Sequence, residues 1–323
     1  MNNKIRFFCT IIFLSFNLLL AQACCGVSSS LLSSGTPAVN QGTFLIMTGG
    51  DLSTTQKNDI VREGFSIGLA YGITDWLNIS LKTNFAWTQS SLFRLGKYDT
   101  TTTDTGLIIE PLIADTTFHY RNYGFGDGDA GVQFVIIPMN AFTKQEVKTG
   151  GDLGIPWASL KKISTVEGTE QLMPPKAQNG SGGWSLGGFA SYSRLFPDIK
   201  FTATANIAGK LKFKNNRGDK PGNEASVLVS AVAGPFWKFH GLLTANYKYM
   251  GQTLTNNGGS ITRKDTVSGG NRIDLLPAIS FTPGEALKFT LDAQLPVWRD
   301  ENQREIGTRF ATRLSVLIYM PAF

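Results

Sequence analysis

The sequence predicts an all-β protein, a transmembrane antiparallel β-barrel of about 12 strands that follows a cleaved signal peptide. Three observations carry that expectation. Long stretches alternate apolar and polar side chains with a period of two, most clearly over residues 199–214. Tight turns and long polar loops alternate between those stretches. An apolar leader with a basic start opens the chain. Successive strand side chains point to opposite faces, so each alternating stretch has one oily face and one wet face. At sixteen residues, 199–214 is also long for a soluble strand and suits a tilted crossing of a bilayer.

Lys4 and Arg6 form the basic start, residues 7–20 the apolar core, and Ala21-Gln22-Ala23 a small-x-small cleavage site. The mature chain is then expected to begin at Cys24. An uncleaved anchor helix is the alternative, disfavoured by the short apolar core. Cys24 is a candidate lipid-attachment residue, although Ala21 stands where such signals usually carry leucine. Cys9, Cys24 and Cys25 are the three cysteines, so no disulfide framework is expected in the barrel. No metal site is expected at Cys24-Cys25, because neither a histidine nor a further cysteine stands near it. The expected organisation is signal peptide 1–23, periplasmic N-terminal segment or plug 24–42, and barrel 43–323.

Residues 43–49 make a weak first strand. Residues 61–71 and 77–87 alternate on either side of a turn at 72–76, which reads as a hairpin. Two weaker strands follow at 127–138 and about 149–163. Three more hairpins are expected: 184–194 with 199–214, 225–233 with 239–250, and 273–281 with 287–297. A last strand runs over 310–319. Trp76, Phe196, Phe236 and Trp237 fall at the tight turns, where an interfacial aromatic girdle belongs. The long connections, such as 89–124 and 251–270, are expected outside the cell, and 106–113 could add strand residues. The 35 glycines and frequent Asn/Asp/Gly clusters favour strands and turns over helices. A secreted β-sandwich would also alternate, but with shorter strands and no such asymmetry of connections.

The net charge of +6 does not imply nucleic acid, because the basic residues are scattered through alternating strands. Phe323 resembles the terminal aromatic read by the outer-membrane assembly machinery. Leu314, Val316, Ile318 and Met320 set the apolar phase, Phe323 lies in the other, and Pro321 is expected to shift the register. The expected partners are outer-membrane lipid, that machinery and a small-molecule solute.

No catalytic residues, metal or cofactor are expected. His119 and His240, the two histidines, fall in a long loop and beside a short turn, at opposite ends of a barrel. A nucleophile needs its base within hydrogen-bond reach. The stretch Gly124-Phe125-Gly126-Asp127-Gly128-Asp129-Ala130-Gly131 lacks the Lys-Ser/Thr and helix of a phosphate loop and the later oxygen ligands of a calcium loop. It reads as the glycine-rich start of a strand. The expected pore-lining residues are Lys82, Lys200, Lys210, Lys212, Lys214, Lys248, Arg272, Lys288 and Arg313, with Asp127, Asp129, Asp274 and Asp292. Two readings stay open for them: a pore biased towards anions or carboxylates, or a salt-bridged filling.

Four short motifs resemble outer-membrane transporter-like barrels of the phenol-degradation meta-pathway family, near the long-chain fatty-acid channel group. They are Cys24-Cys25-Gly26, Ala70-Tyr71-Gly72-Ile73-Thr74-Asp75-Trp76, Gly124-Phe125-Gly126-Asp127 and Leu295-Pro296-Val297-Trp298-Arg299-Asp300-Glu301-Asn302. The chain departs from that pattern at its long second loop and at 149–163. The resemblance implies passive uptake or export of small molecules, aromatic or hydrophobic, with no catalytic residues to carry over. The alternative is a non-conducting structural or adhesive barrel whose loops bind partners.

Overall fold

Strand alternation of this kind needs a partner for every edge, and the chain meets that need by closing on itself. The structure, a computed structural model, describes residues 39–55, 60–96, 99–103, 106–110, 115–119, 122–140, 142–158, 163–166, 169–172, 180–256, 262–264, 269–301 and 308–321. Twelve long strands form the wall: β1 (Thr43–Thr55), β2 (Ile60–Thr74), β3 (Leu77–Gly96), β7 (Asn122–Ile137), β8 (Gln145–Ile155), β11 (Ser185–Phe196), β12 (Phe201–Lys212), β13 (Glu224–Phe236), β14 (Phe239–Met250), β17 (Gly270–Gly284), β18 (Leu287–Glu301) and β19 (Thr308–Pro321). Each pairs antiparallel with its neighbours in this order, and β1 pairs with β19 from Thr43↔Pro321 to Thr55↔Thr308, which closes the ring.

The fold is inside-out relative to a soluble core. Leu186, Ile207, Val229, Leu243, Ile279 and Leu291 each expose about half their surface on the outer wall. Asn206, Lys248, Asp274 and Asp292, on the opposite phase, are buried. Lipid covers the outer residues, and the only way to satisfy every backbone group in lipid with strands is a closed barrel. Short turns at one end join β2 to β3, β7 to β8, β11 to β12, β13 to β14 and β17 to β18; that end is periplasmic in barrels of this layout. Trp76, Phe196, Phe236 and Trp237 sit there on or beside the turns, all exposed. Trp237 leans on Phe239 and Phe281, with ring centroids 5.8 and 6.5 Å away.

All twelve expected strands are present, with shifted ends. β8 runs over 145–155, earlier than the expected 149–163. Its outward face (Gln145, Val147, Thr149, Gly151, Leu153) is barely apolar, so its alternation is faint. β12 starts at Phe201, because Pro197–Ile199 form a 3-10 turn and Lys200 caps it in the left-handed region at φ 48°. At the far end the long connections carry strands of their own. β4 (Asp99–Thr103) pairs with β5 (Gly106–Glu110), which takes in part of the expected 106–113 segment. β6 (Asp115–His119) pairs with the end of β3, β9 (Ile163–Val166) with β10 (Thr169–Leu172), and β15 (Leu254–Asn256) with β16 (Thr262–Lys264). Ala21, Ala23, Cys24 and Phe323 lie outside the described residues, as does all of 1–38.

Candidate functional site: the barrel lumen

The inward phase places a collar of charges around the lumen. Lys82 on β3 and Asp129 on β7 are register partners, with Nζ 3.7 Å from Oδ2. Lys210 on β12 reaches both Asp129 (2.5 Å) and Asp152 on β8 (3.0 Å). It does so across Gly187 on β11, where a Cβ would stand 2.3 Å from the Asp152 carboxylate, so the glycine makes room for that bridge. Glu224 on β13 takes Lys212 on one oxygen and Lys248 of β14 on the other, the latter at 2.7 Å. Arg272 meets Asp274 at 3.0 Å on β17, and Gln294 of β18 donates to the same carboxylate at 2.7 Å. Arg313 on β19 holds Asp292 on β18 with two bonds, Nε to Oδ2 at 2.9 Å and an Nη to Oδ1 at 2.7 Å.

The collar therefore sets six cations against five carboxylates. Its two arcs differ. Asp274, Asp292 and Arg313 are sunk in the wall, whereas Lys82, Asp129, Asp152, Lys210, Lys212 and Glu224 keep 23–27 % of their side-chain surface exposed to the lumen. Paired charges of the first kind brace the wall; those of the second kind stay partly exposed.

Three expected pore residues stand elsewhere. Lys200 is the exposed cap of the β11–β12 turn, because the 3-10 turn before it delays the strand. Lys214 is exposed beyond the end of β12. Asp127 lies where the β3–β7 register shifts and ties the loops after β8 instead: it accepts from Ser181 N (2.6 Å), Ser181 Oγ (2.8 Å) and Ala158 N (3.3 Å). Lys288 does follow the inward phase of β18, with Thr290, Asp292 and Gln294, and has no carboxylate partner among the described residues. His240 is inward near the periplasmic end of β14, whereas His119 ends β6 on the far side. Asp152, Glu224 and the Glu146–Lys148 pair (2.7 Å) are additions that the sequence reading missed. Extending the alternation of 225–233 back by one residue would have found Glu224.

The periplasmic mouth is apolar on one side. Leu45 and Met47 of β1, Ala70 of β2 and Val39 form a buried cluster, joined by Leu317 and Tyr319 of β19. Val39, only 2 % exposed, belongs to the stretch that precedes the first strand. Gly42 N donates to Gly72 O at 2.9 Å and Gln41 N to Asp75 Oδ1 at 3.1 Å, which holds this stretch against β2. A Cβ on Gly72 would lie 2.2 Å from the Asn40 carbonyl, so only glycine admits the contact.

No protein-family model matches the chain, and the comparison with curated proteins finds no match. Among solved structures it is similar to an outer membrane channel from Pseudomonas putida F1: TM-score 0.60, 9 % identity, 89 % of this chain and 98 % of that one covered. A KdgM porin (TM-score 0.42, 6 % identity, 85 % and 98 % covered) is more distant. So is the translocator domain of the autotransporter NalP from Neisseria meningitidis (TM-score 0.42, 11 % identity, 90 % and 91 % covered). The fold is that of an outer-membrane β-barrel, and its lipid-facing wall places the chain in a bacterial outer membrane.

Proposed function

We propose that this barrel is a passive channel for small molecules that are aromatic or hydrophobic, and that it carries out no catalysis. The observation that carries the channel reading is the partly exposed arc of the collar. Charges that keep a quarter of their surface inside a twelve-strand ring line a space that holds solvent. The channel named among its structural neighbours supports the same reading. For the solute class, support comes from the resemblance to the phenol-degradation barrels and from the apolar mouth formed by Leu45, Met47, Leu317 and Tyr319. Of the two readings of the lumen charges, the partly exposed arc favours the pore, and the pairing of six cations with five carboxylates leaves it only a small surplus of positive charge. Val39–Gly42 act as the inner end of a plug formed by the N-terminal segment 24–42.

Planar-bilayer recording tests the channel. Discrete conductance steps with weak anion preference are expected, and the absence of steps at several salt concentrations would favour the non-conducting, partner-binding barrel. Swelling of liposomes that carry the protein, in a panel of aromatic and sugar solutes, tests the solute class.

A further inference from the structure

The lipid-facing wall carries a cation where an apolar side chain belongs. On β11 the outward phase runs Leu186, Gly188, Ala190, Tyr192, Arg194, all exposed. Arg194 is two residues from the periplasmic turn and pairs in register with Gln145. Among the described residues it has no carboxylate partner; its guanidinium rests over the Phe196 ring, 5.4 Å from the centroid. A guanidinium facing a bilayer resolves its desolvation by reaching the headgroup level.

A groove of about 550 Å³ opens at that level between two turns. One wall is the β7–β8 turn with Phe142 and Lys144, the other the β11–β12 turn with Asp198 and Ile199. The walls are locked together, since Leu195 N donates to Lys144 O at 2.8 Å. Lys144 itself takes the left-handed backbone, φ 49°. Asn140 Oδ1 accepts from Phe142 N (2.9 Å) and Thr143 N (2.8 Å), which fixes the same turn. At the groove's edges Phe142 is 95 % and Ile199 68 % exposed. In water those two side chains would be misplaced; beside acyl chains they are not.

We propose that this groove is a phospholipid site: Arg194 and Lys144 bind the phosphate of an inner-leaflet glycerophospholipid, and Phe142 and Ile199 lie against its acyl chains. Two cations against the single carboxylate of Asp198 leave one positive charge, which complements one phosphodiester. Arg194 supplies the planar fork suited to phosphate oxygens, and Lys144 supplies a point charge.

Native mass spectrometry of the detergent-solubilised barrel, titrated with dioleoylphosphatidylglycerol, tests the site. Each cation near a lipid surface contributes enough that Arg194→Gln or Lys144→Gln should weaken the phospholipid adduct about fivefold, and the double variant roughly thirtyfold. Lys238→Gln, a cation at another turn that stacks on Trp237, should leave it unchanged. Dioleoylglycerol, which lacks phosphate, should show no difference between wild type and variants, and inorganic phosphate should not displace the lipid. Equal titration of wild type and double variant would overturn the proposal, as would displacement by inorganic phosphate or an equal loss in Lys238→Gln. Unheated gel mobility reports whether the variants fold. Independently of them, a phosphatidylglycerol with a photoreactive headgroup should label peptides spanning 142–145 and 194–199 of the wild type; labelling confined to other peptides would refute the site.

Discussion

Replacing Arg313 with methionine should cost the barrel about 3–5 kcal/mol of folding free energy. The magnitude follows from the geometry. Asp292 and Arg313 keep only 6 % and 7 % of their side-chain surface exposed, and two charge-assisted bonds of 2.9 and 2.7 Å join them. Each such bond contributes about 1.5–3 kcal/mol, and its loss leaves a carboxylate in the wall with no cation to balance it. Asp292→Leu should cost a similar amount, for the mirror reason. The double variant Arg313→Met/Asp292→Leu should return to within about 1 kcal/mol of wild type, because an apolar pair removes both desolvation penalties together. Arg313→Lys should fall between, since it keeps the charge but loses the fork. Equilibrium urea unfolding from phosphatidylcholine vesicles, followed by tryptophan fluorescence, measures all four. Single-variant losses below about 1 kcal/mol, or a double variant as unstable as the two singles summed, would refute the reasoning.

Further outcomes follow from other parts of the ring. Val229→Arg, at mid-height on the lipid face, should cost about 2–4 kcal/mol, whereas Ser230→Arg, facing the lumen, should cost far less; equal costs in vesicle unfolding would contradict the inside-out wall. Glu224→Gln leaves Lys212 and Lys248 without their shared carboxylate, so the reversal potential in a salt gradient should move towards the anion potential; an unchanged value would remove the collar from the permeation path. Gly72→Val should displace the Asn40 carbonyl and raise single-channel conductance, and an unaltered conductance would argue against Val39–Gly42 as the inner end of a plug. Trp237→Ala, which removes two ring contacts, should lose about 1–2 kcal/mol in the same unfolding assay.

The wall was legible in the sequence wherever the outer face is strongly apolar. Residues 199–214 and 287–297 show two chemically opposite faces, so period, phase and lumen residues such as Lys210, Lys212, Lys288 and Asp292 could be read directly. β8 was harder, because glycines occupy positions 150, 151 and 154 and its outer face carries Gln145 and Thr149; there the ladder, not the side-chain pattern, defines the strand. Lys200 misled because the alternation runs through a turn that the backbone interrupts. Asp127 misled because the register shift between β3 and β7 breaks the count of two. The pairing of the collar was not legible at all. Lys210 and Asp129 are 81 residues apart, and only the lateral order of β12, β11, β8 and β7 in the sheet brings them within reach.

The seam between β1 and β19 carries a cost in time. Its two members are the first and last staves of the wall, so Thr43 waits for Pro321 before either has its neighbour. Until then a nascent chain carries two long unsatisfied rims and a row of grease that no solvent welcomes. Such a molecule cannot be stitched up as it is made; it has to be escorted whole and sealed in a single late event.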